Sequence, residues 1–312
     1  MNDAKLDSYL SWGNLIYTAD FLEASGEKNI SLLGGEPTLH PQFTEFVLYL
    51  YERGFNVNIF TSGVTGEKTF DNIARYLSFL DPAHLSFVCN INDPENTPYA
   101  ESKSIEKFLA VMSQFTQLGF NIYRPDASLD FLFPTIQKFG LKPALRLGLA
   151  HPIPGAKNAH IGIKNFDAVA RLLVSNIPQF ERYKLFPTLD CGFPYCIFSN
   201  EEIGRLFGAL PPEGLKFACG AAIDIGIDLS VWSCFPLSTL KRKSLFDFQF
   251  LHEIVDYYES FHRSVRIESG GVFDECDLCR YREKGLCSGG CLGHILKEIM
   301  IEPPVRTPGL LL

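Results

Sequence analysis

The residues best equipped for chemistry in this sequence are its cysteines, and they are unevenly placed. Of nine, Cys89 stands alone, while Cys191, Cys196, Cys219, Cys234, Cys276, Cys279, Cys287 and Cys291 all fall from residue 191 onward. Cys276 and Cys279 form a C-x2-C turn that aims two thiolates at one metal. Cys287 and Cys291 can do the same from one helical turn or from a glycine-rich knuckle at Ser288-Gly289-Gly290. Upstream, Cys219 and Cys234 flank GAAIDIGIDLSVWS, which alternates like a hairpin and would bring the two thiols together. Cys191 and Cys196, in TLDCGFPYC, have the less specific C-x4-C spacing and read equally as a buried apolar pair or as further ligands. Eight distal cysteines make two sets of four. Thiolates alone fit iron–sulfur and zinc alike, and Cys89, inside an apolar run, reads as core.

A second candidate site is SLLGGEPTLHPQF, where a strand breaks into Gly34, Gly35, Glu36 and Pro37 before a helix. Strand-to-helix junctions of this kind are where α/β proteins hold ligands.

The elements that must position these groups follow from periodicity. Apolar β-rich runs at 30–33, 57–60, 85–89, 120–123 and 145–149 alternate with helical patterns, which predicts an α/β fold with a parallel sheet, as an open sheet or partial barrel. After the junction, Phe43, Phe46, Val47 and Leu50 form a helical stripe that Gly54 ends. Before it, Trp12 to Ala24 reads as a helix capped by Ser11 and stopped by Gly26, so the chain opens on a helix rather than a strand. Functional groups of such a sheet gather at the carboxyl ends of its strands.

Composition narrows the partners. At 312 residues the chain can bury a full core. Its net charge of -8 and lack of Lys/Arg-dense runs argue against nucleic acid or an anionic membrane surface. No apolar run approaches the roughly 20 residues that span a bilayer, and the polar start is unlike a signal peptide, so a cytoplasmic location is expected.

Taken together, LLGGEPTLHP, a following strand ending in FTSG, and CDLCRYREKGLCSGGC resemble the radical S-adenosylmethionine (radical SAM) superfamily, specifically members with a SPASM or twitch-type auxiliary cluster domain. The resemblance implies a partial parallel (β/α) TIM-like barrel missing its first strand over residues 1–180, and a cysteine-rich α+β SPASM-like domain over 181–312. It implies that Gly34, Gly35, Glu36 and Pro37 receive the amino group of SAM, and that Ser62, Asn90 and His151 end neighbouring barrel strands where SAM is contacted. It groups Cys219, Cys234 and Cys291 on one auxiliary 4Fe-4S cluster and Cys276, Cys279 and Cys287 on another, with Cys191 and Cys196 available to complete them. Peptide or small-protein substrates and an electron donor such as flavodoxin or ferredoxin would follow.

The sequence also departs from that pattern. The family's C-x3-C-x2-C loop, whose open iron meets SAM, is absent, since no cysteine precedes Cys89. Either Met1 is a late start or the chain is a degenerate relative, and as written it is expected to hold SAM weakly and not to cleave it. Leu229 stands where the family has a glycine, seven residues rather than five separate Cys279 from Cys287, and no cysteine follows Cys291. The competing expectation is a non-catalytic relative that binds a peptide or protein partner and uses structural zinc or iron–sulfur sites.

Overall fold

The computed structural model of the protein describes residues 9–190, 192–210, 214–215 and 217–301, without the side chains of 298–301. Helix α1 (Trp12–Ala24) starts where Ser11 Oγ accepts from Asn14 N at 3.2 Å and buries Leu15, Ala19 and Leu22. Strands β1 (Asn29–Leu32), β2 (Asn56–Thr61), β3 (Leu85–Asn90), β4 (Thr116–Ile122), β5 (Ala144–Leu149) and β6 (Phe186–Leu189) then form one six-stranded sheet in sequence order. Every pairing is parallel. The crossovers carry α2 (Phe43–Glu52), α3 (Glu67–Asn72), α4 (Tyr99–Val111), α5 (Leu132–Phe139), α6 (Phe166–Ser175) and α7 (Ile177–Tyr183). An all-parallel sheet in strict sequence order, with a helical connection after each strand, is the arrangement of a partial TIM-like barrel.

β6 was not among the strands expected from periodicity. It has four residues, includes Pro187, and exposes Phe186 and Thr188, so neither length nor apolar run marks it. Its pairing with β5 carries the sheet past residue 180, a position that itself lies within α7.

The two faces of the sheet differ. Val57, Ile59, Leu85, Phe87, Leu118, Phe120, Leu145 and Leu147 are buried against the helices. The other face carries Ser31, Asn58 and Ser86 side by side in register, and above them Asn90, Gly119, Arg146 and Thr188. Parallel sheets covered on both faces read as continuous apolar runs. Here the alternation of buried and half-exposed residues marks a concave face that the described residues leave open and polar.

The tail continues through α8 (Asn200–Ala209) into a three-stranded antiparallel sheet, β7 (Ile223–Ile225), β8 (Ser230–Ser233) and β9 (Lys243–Ser244). Helix α9 (Leu251–Ser269) packs on it, and the fully buried Tyr258 donates its hydroxyl to Val231 O at 2.7 Å and Lys241 O at 3.0 Å. α10 (Arg280–Glu283) and α11 (Leu292–Ile301) complete the order. One apolar core runs from Leu15 of α1 to Tyr258 of α9 and joins barrel to tail, and a second small cluster of Leu237, Val265, Leu292 and Ile295 lies within the tail. Among the described residues no helix is long and apolar enough to cross a membrane.

Candidate functional site

The GGEP junction follows β1, as the sequence predicts, and its acid is fully engaged. Glu36 Oε1 accepts from Thr38 N (3.2 Å), Thr38 Oγ1 (2.8 Å) and Thr61 Oγ1 (2.7 Å), and Oε2 accepts from Ser62 N (2.7 Å) and Ser62 Oγ (2.6 Å). The carboxylate thus clasps its own turn to the end of β2. Gly34 and Gly35 take positive φ of 92° and 43°, and a Cβ on either would meet nothing within 4 Å. Their contribution is therefore the left-handed backbone that turns the chain before Pro37 begins a 3₁₀ turn at Pro37–Leu39.

Asn90 ends β3 on the open face, and its buried Oδ1 has no hydrogen-bond partner among the described residues. A Cβ on Gly119 would lie 2.2 Å from that oxygen, so the glycine is what admits the amide there. His151, after β5, is buried, and its ring stands edge-on to His294 of the tail at 5.5 Å. A Cβ on Gly192 would sit 2.3 Å from His151 Nε2 and 3.2 Å from Cys291 Cβ, which puts His151 beside a tail cysteine. Burial, with His151 and His160 as neighbours, pushes the His294 imidazole down to about 3, so it is neutral at pH 7.

Cys196, Cys276, Cys279 and Cys287 line one pocket, together with Pro194, Tyr195, Tyr281, Arg282 and Gly289. The space among all four is about 10 Å³, and a neighbouring pocket of about 310 Å³ shares Cys196, Cys276 and Cys279 and is also lined by Phe273 and Glu275. Two backbone donors already point at Cys287 Sγ: Gly289 N at 3.3 Å and Tyr195 N at 3.5 Å. Cys196 is exposed on its turn, and partial burial of its thiol, then the neighbouring Cys276, Cys287 and Cys279, hold that thiol above its ordinary value.

Cys219, Cys234 and Cys291 form a separate group. Burial raises Cys234 to about 11 with Cys219 adding to it, and raises Cys291 to about 12 with Cys219 and Cys234 adding to it. Gly293 N donates to Cys291 Sγ at 3.4 Å. The hairpin that brings Cys219 towards Cys234 is the β7–β8 pair. Leu229 in its turn has φ of 61°, the left-handed backbone for which a glycine is suited. Cys191 lies outside the described residues, and Cys89 is fully buried in the barrel wall.

Sulfur-only donor sets of this kind fit iron–sulfur clusters and are unsuited to hard cations. Among the described residues, no three His, Cys, Asp or Glu side chains converge closely enough to hold a single metal ion. Residues that motif reading overlooked lace the knuckle together. Arg266 donates to Ser288 O and, at 3.3 Å, to Gly290 O, while Arg282 donates to Arg266 O at 2.6 Å and Cys276 O at 3.3 Å. Gly271 passes so close that a Cβ there would meet Cys276 Sγ at 2.5 Å.

No family model and no curated protein matches the sequence. Among solved structures, the chain is similar to two crystal structures of Streptococcus suis SuiB, one of them bound to S-adenosylmethionine. Both have a TM-score of 0.60 and cover 93% of this chain, at 13% and 12% identity, over 67% and 68% of SuiB respectively. At that identity the likeness establishes a shared fold: the α/β barrel-type architecture of this chain is that of SuiB.

Proposed function

We propose that the protein is a radical SAM-type iron–sulfur protein in which a partial barrel is joined to a SPASM-like tail holding one or two auxiliary 4Fe-4S clusters. The observation that carries this reading is the partition of the tail thiols, with Cys276, Cys279 and Cys287 on one pocket and Cys219, Cys234 and Cys291 in another group. That is the division the motif resemblance implies, and the fold shared with a SAM-bound protein supports it. Clusters bound there would supply one-electron chemistry.

The chain's own residues do the rest. The left-handed Gly34-Gly35 turn presents backbone to a ligand at the strand ends, and Glu36 holds that turn against Ser62. The open polar face, with Ser31, Asn58 and Ser86 side by side, suits a polar peptide or small-protein substrate. Reduced flavodoxin or ferredoxin is the electron donor in this reading. With no cysteine before Cys89, the chain of 312 residues is proposed to bind SAM weakly and leave it intact.

Anaerobic purification tests the reading. The protein is expected to be brown and to contain iron and acid-labile sulfide in near-equal amounts. Stoichiometric zinc without sulfide would overturn it in favour of a structural, non-catalytic tail.

A further inference from the structure

We propose that Cys196 is the fourth protein ligand of the group held by Cys276, Cys279 and Cys287, so that one metal-bound site fastens the loop after the barrel's last strand to the cysteine knuckle. The inference rests on the iron–sulfur reading and extends it to a residue outside the knuckle motif.

Two observations of geometry point to Cys196. First, it lines the same pocket as the three knuckle thiols. Second, its 3₁₀ turn at Tyr195–Ile197 is docked on the knuckle by the chain's own contacts. Tyr195 N donates to Cys287 Sγ, and the Tyr195 ring lies on Tyr281 with centroids 4.3 Å apart and planes inclined by 31°. A thiol on this turn is therefore delivered to the pocket by aromatic packing before any metal arrives.

The knuckle itself leaves one position to fill: it provides three thiols to this pocket, and Cys291 does not line it. Arg282 also lines the pocket and places a guanidinium beside what would be a thiolate-rich, negatively charged site. On ligation each Cys S–H bond breaks, its proton passes to solvent, and the sulfur electron pair forms the bond to iron. No oxidant or reductant is consumed.

A mechanical consequence follows. Phe193 and Phe198 on either side of Cys196 are buried in the core shared with the barrel. Ligation through Cys196 therefore couples the β6–α8 connection to the occupancy of a site formed otherwise by residues 276–287.

The test is metal and sulfide content of anaerobically purified wild type, Cys196→Ser, Cys196→Ala, Cys276→Ser and Cys89→Ser, with EPR and hydrogen exchange. Cys276→Ser is expected to lose one cluster's iron, and Cys89→Ser to match wild type. Both Cys196 variants are expected to lose at least one iron from that cluster and to show a three-iron EPR signal on oxidation. Amides of residues 193–199 are expected to exchange faster after chelation in wild type, and equally fast without chelation in the Cys196 variants. A Cys196 variant with full iron, unchanged EPR and wild-type exchange, while Cys276→Ser loses a cluster, would overturn the inference. Zinc in place of iron in wild type would overturn only the iron–sulfur reading, and the zinc lost or kept in the Cys196 variants would then decide the ligand. A wild type that takes up neither metal overturns both.

Discussion

Ser62 donates twice to one oxygen of Glu36: its backbone N–H reaches Oε2 at 2.7 Å and its hydroxyl at 2.6 Å. With Thr38 and Thr61 filling the other oxygen, the acid of the GGEP turn has five donors from its own chain. Thr38 and Thr61 are buried, so losing their acceptor strands polar groups away from water. Glu36→Gln also opposes an NH2 group to the Ser62 N–H. It is expected to lower folding stability by roughly 1–3 kcal/mol, the cost of unmet buried donors, as read from the urea midpoint. An unchanged midpoint with weakened SAM binding would mean instead that the carboxylate serves the ligand.

Gly271 provides clearance for the knuckle. A Cβ there would lie 2.5 Å from Cys276 Sγ, 2.6 Å from Cys276 Cβ and 3.0 Å from Gly289 O, and backbone on one side cannot give way. Gly271→Ala is expected to displace the Cys276 thiol, reduce bound metal, and cost about 1–3 kcal/mol through overpacking. Gly204→Ala, on an exposed stretch of α8 with nothing within 4 Å, is the control. It should keep its metal and gain roughly 0.5–1 kcal/mol. Equal metal content in the two variants would remove Gly271 from the site.

What could be read from the sequence was local. The helix Trp12–Ala24 and its Ser11 cap follow from adjacent residues, and so does the hairpin between Cys219 and Cys234. The clasp was not legible, because Glu36 finds Thr61 and Ser62 only when β1 and β2 lie side by side. β6 was hidden by its proline and its short length, since its strand character comes from pairing with β5 rather than from its own residues. The company Cys196 keeps was hidden for the same reason: the contact between Tyr195 and Cys287 joins segments far apart in the chain. The neighbours of His151 were not legible either, since Gly192 brings Cys291 beside it from a distant part of the chain.

His262 is expected to make folding sensitive to mild acid. It is buried on α9, and its Nε2 shares a hydrogen bond of 2.5 Å with Ser233 Oγ, whose direction the tautomer sets. Burial, and then the Arg266 charge, lower its pKa to about 4, against a smaller opposing effect of Glu259. A depressed histidine pKa favours the neutral ring in the folded chain. Its contribution is complete above the unfolded value near 6.5 and is lost as pH falls through about 4. Between pH 7 and 5 the urea midpoint of wild type is expected to fall more than that of His262→Gln. Parallel pH profiles would show that His262 does not carry this dependence.

The last expectation concerns SAM itself. Cys89 is the one cysteine before residue 191, and it is fully buried in β3 facing the helices. Burial and then the Glu36 charge push its thiol above the ordinary range, so it stays protonated and inaccessible. No other thiol in the barrel segment can hold an iron next to the GGEP turn. In the proposed reading the distal thiols belong to the tail, Cys196, Cys276, Cys279 and Cys287 in one group and Cys219, Cys234 and Cys291 in another, and all of them follow β6. Reduced with dithionite in the presence of SAM, this chain is therefore expected to yield no 5′-deoxyadenosine above a protein-free control, even with iron bound. Deoxyadenosine that accumulates in proportion to protein and disappears in Cys276→Ser or Cys219→Ser would reverse the conclusion, because it would require a tail cluster with an open iron within reach of SAM.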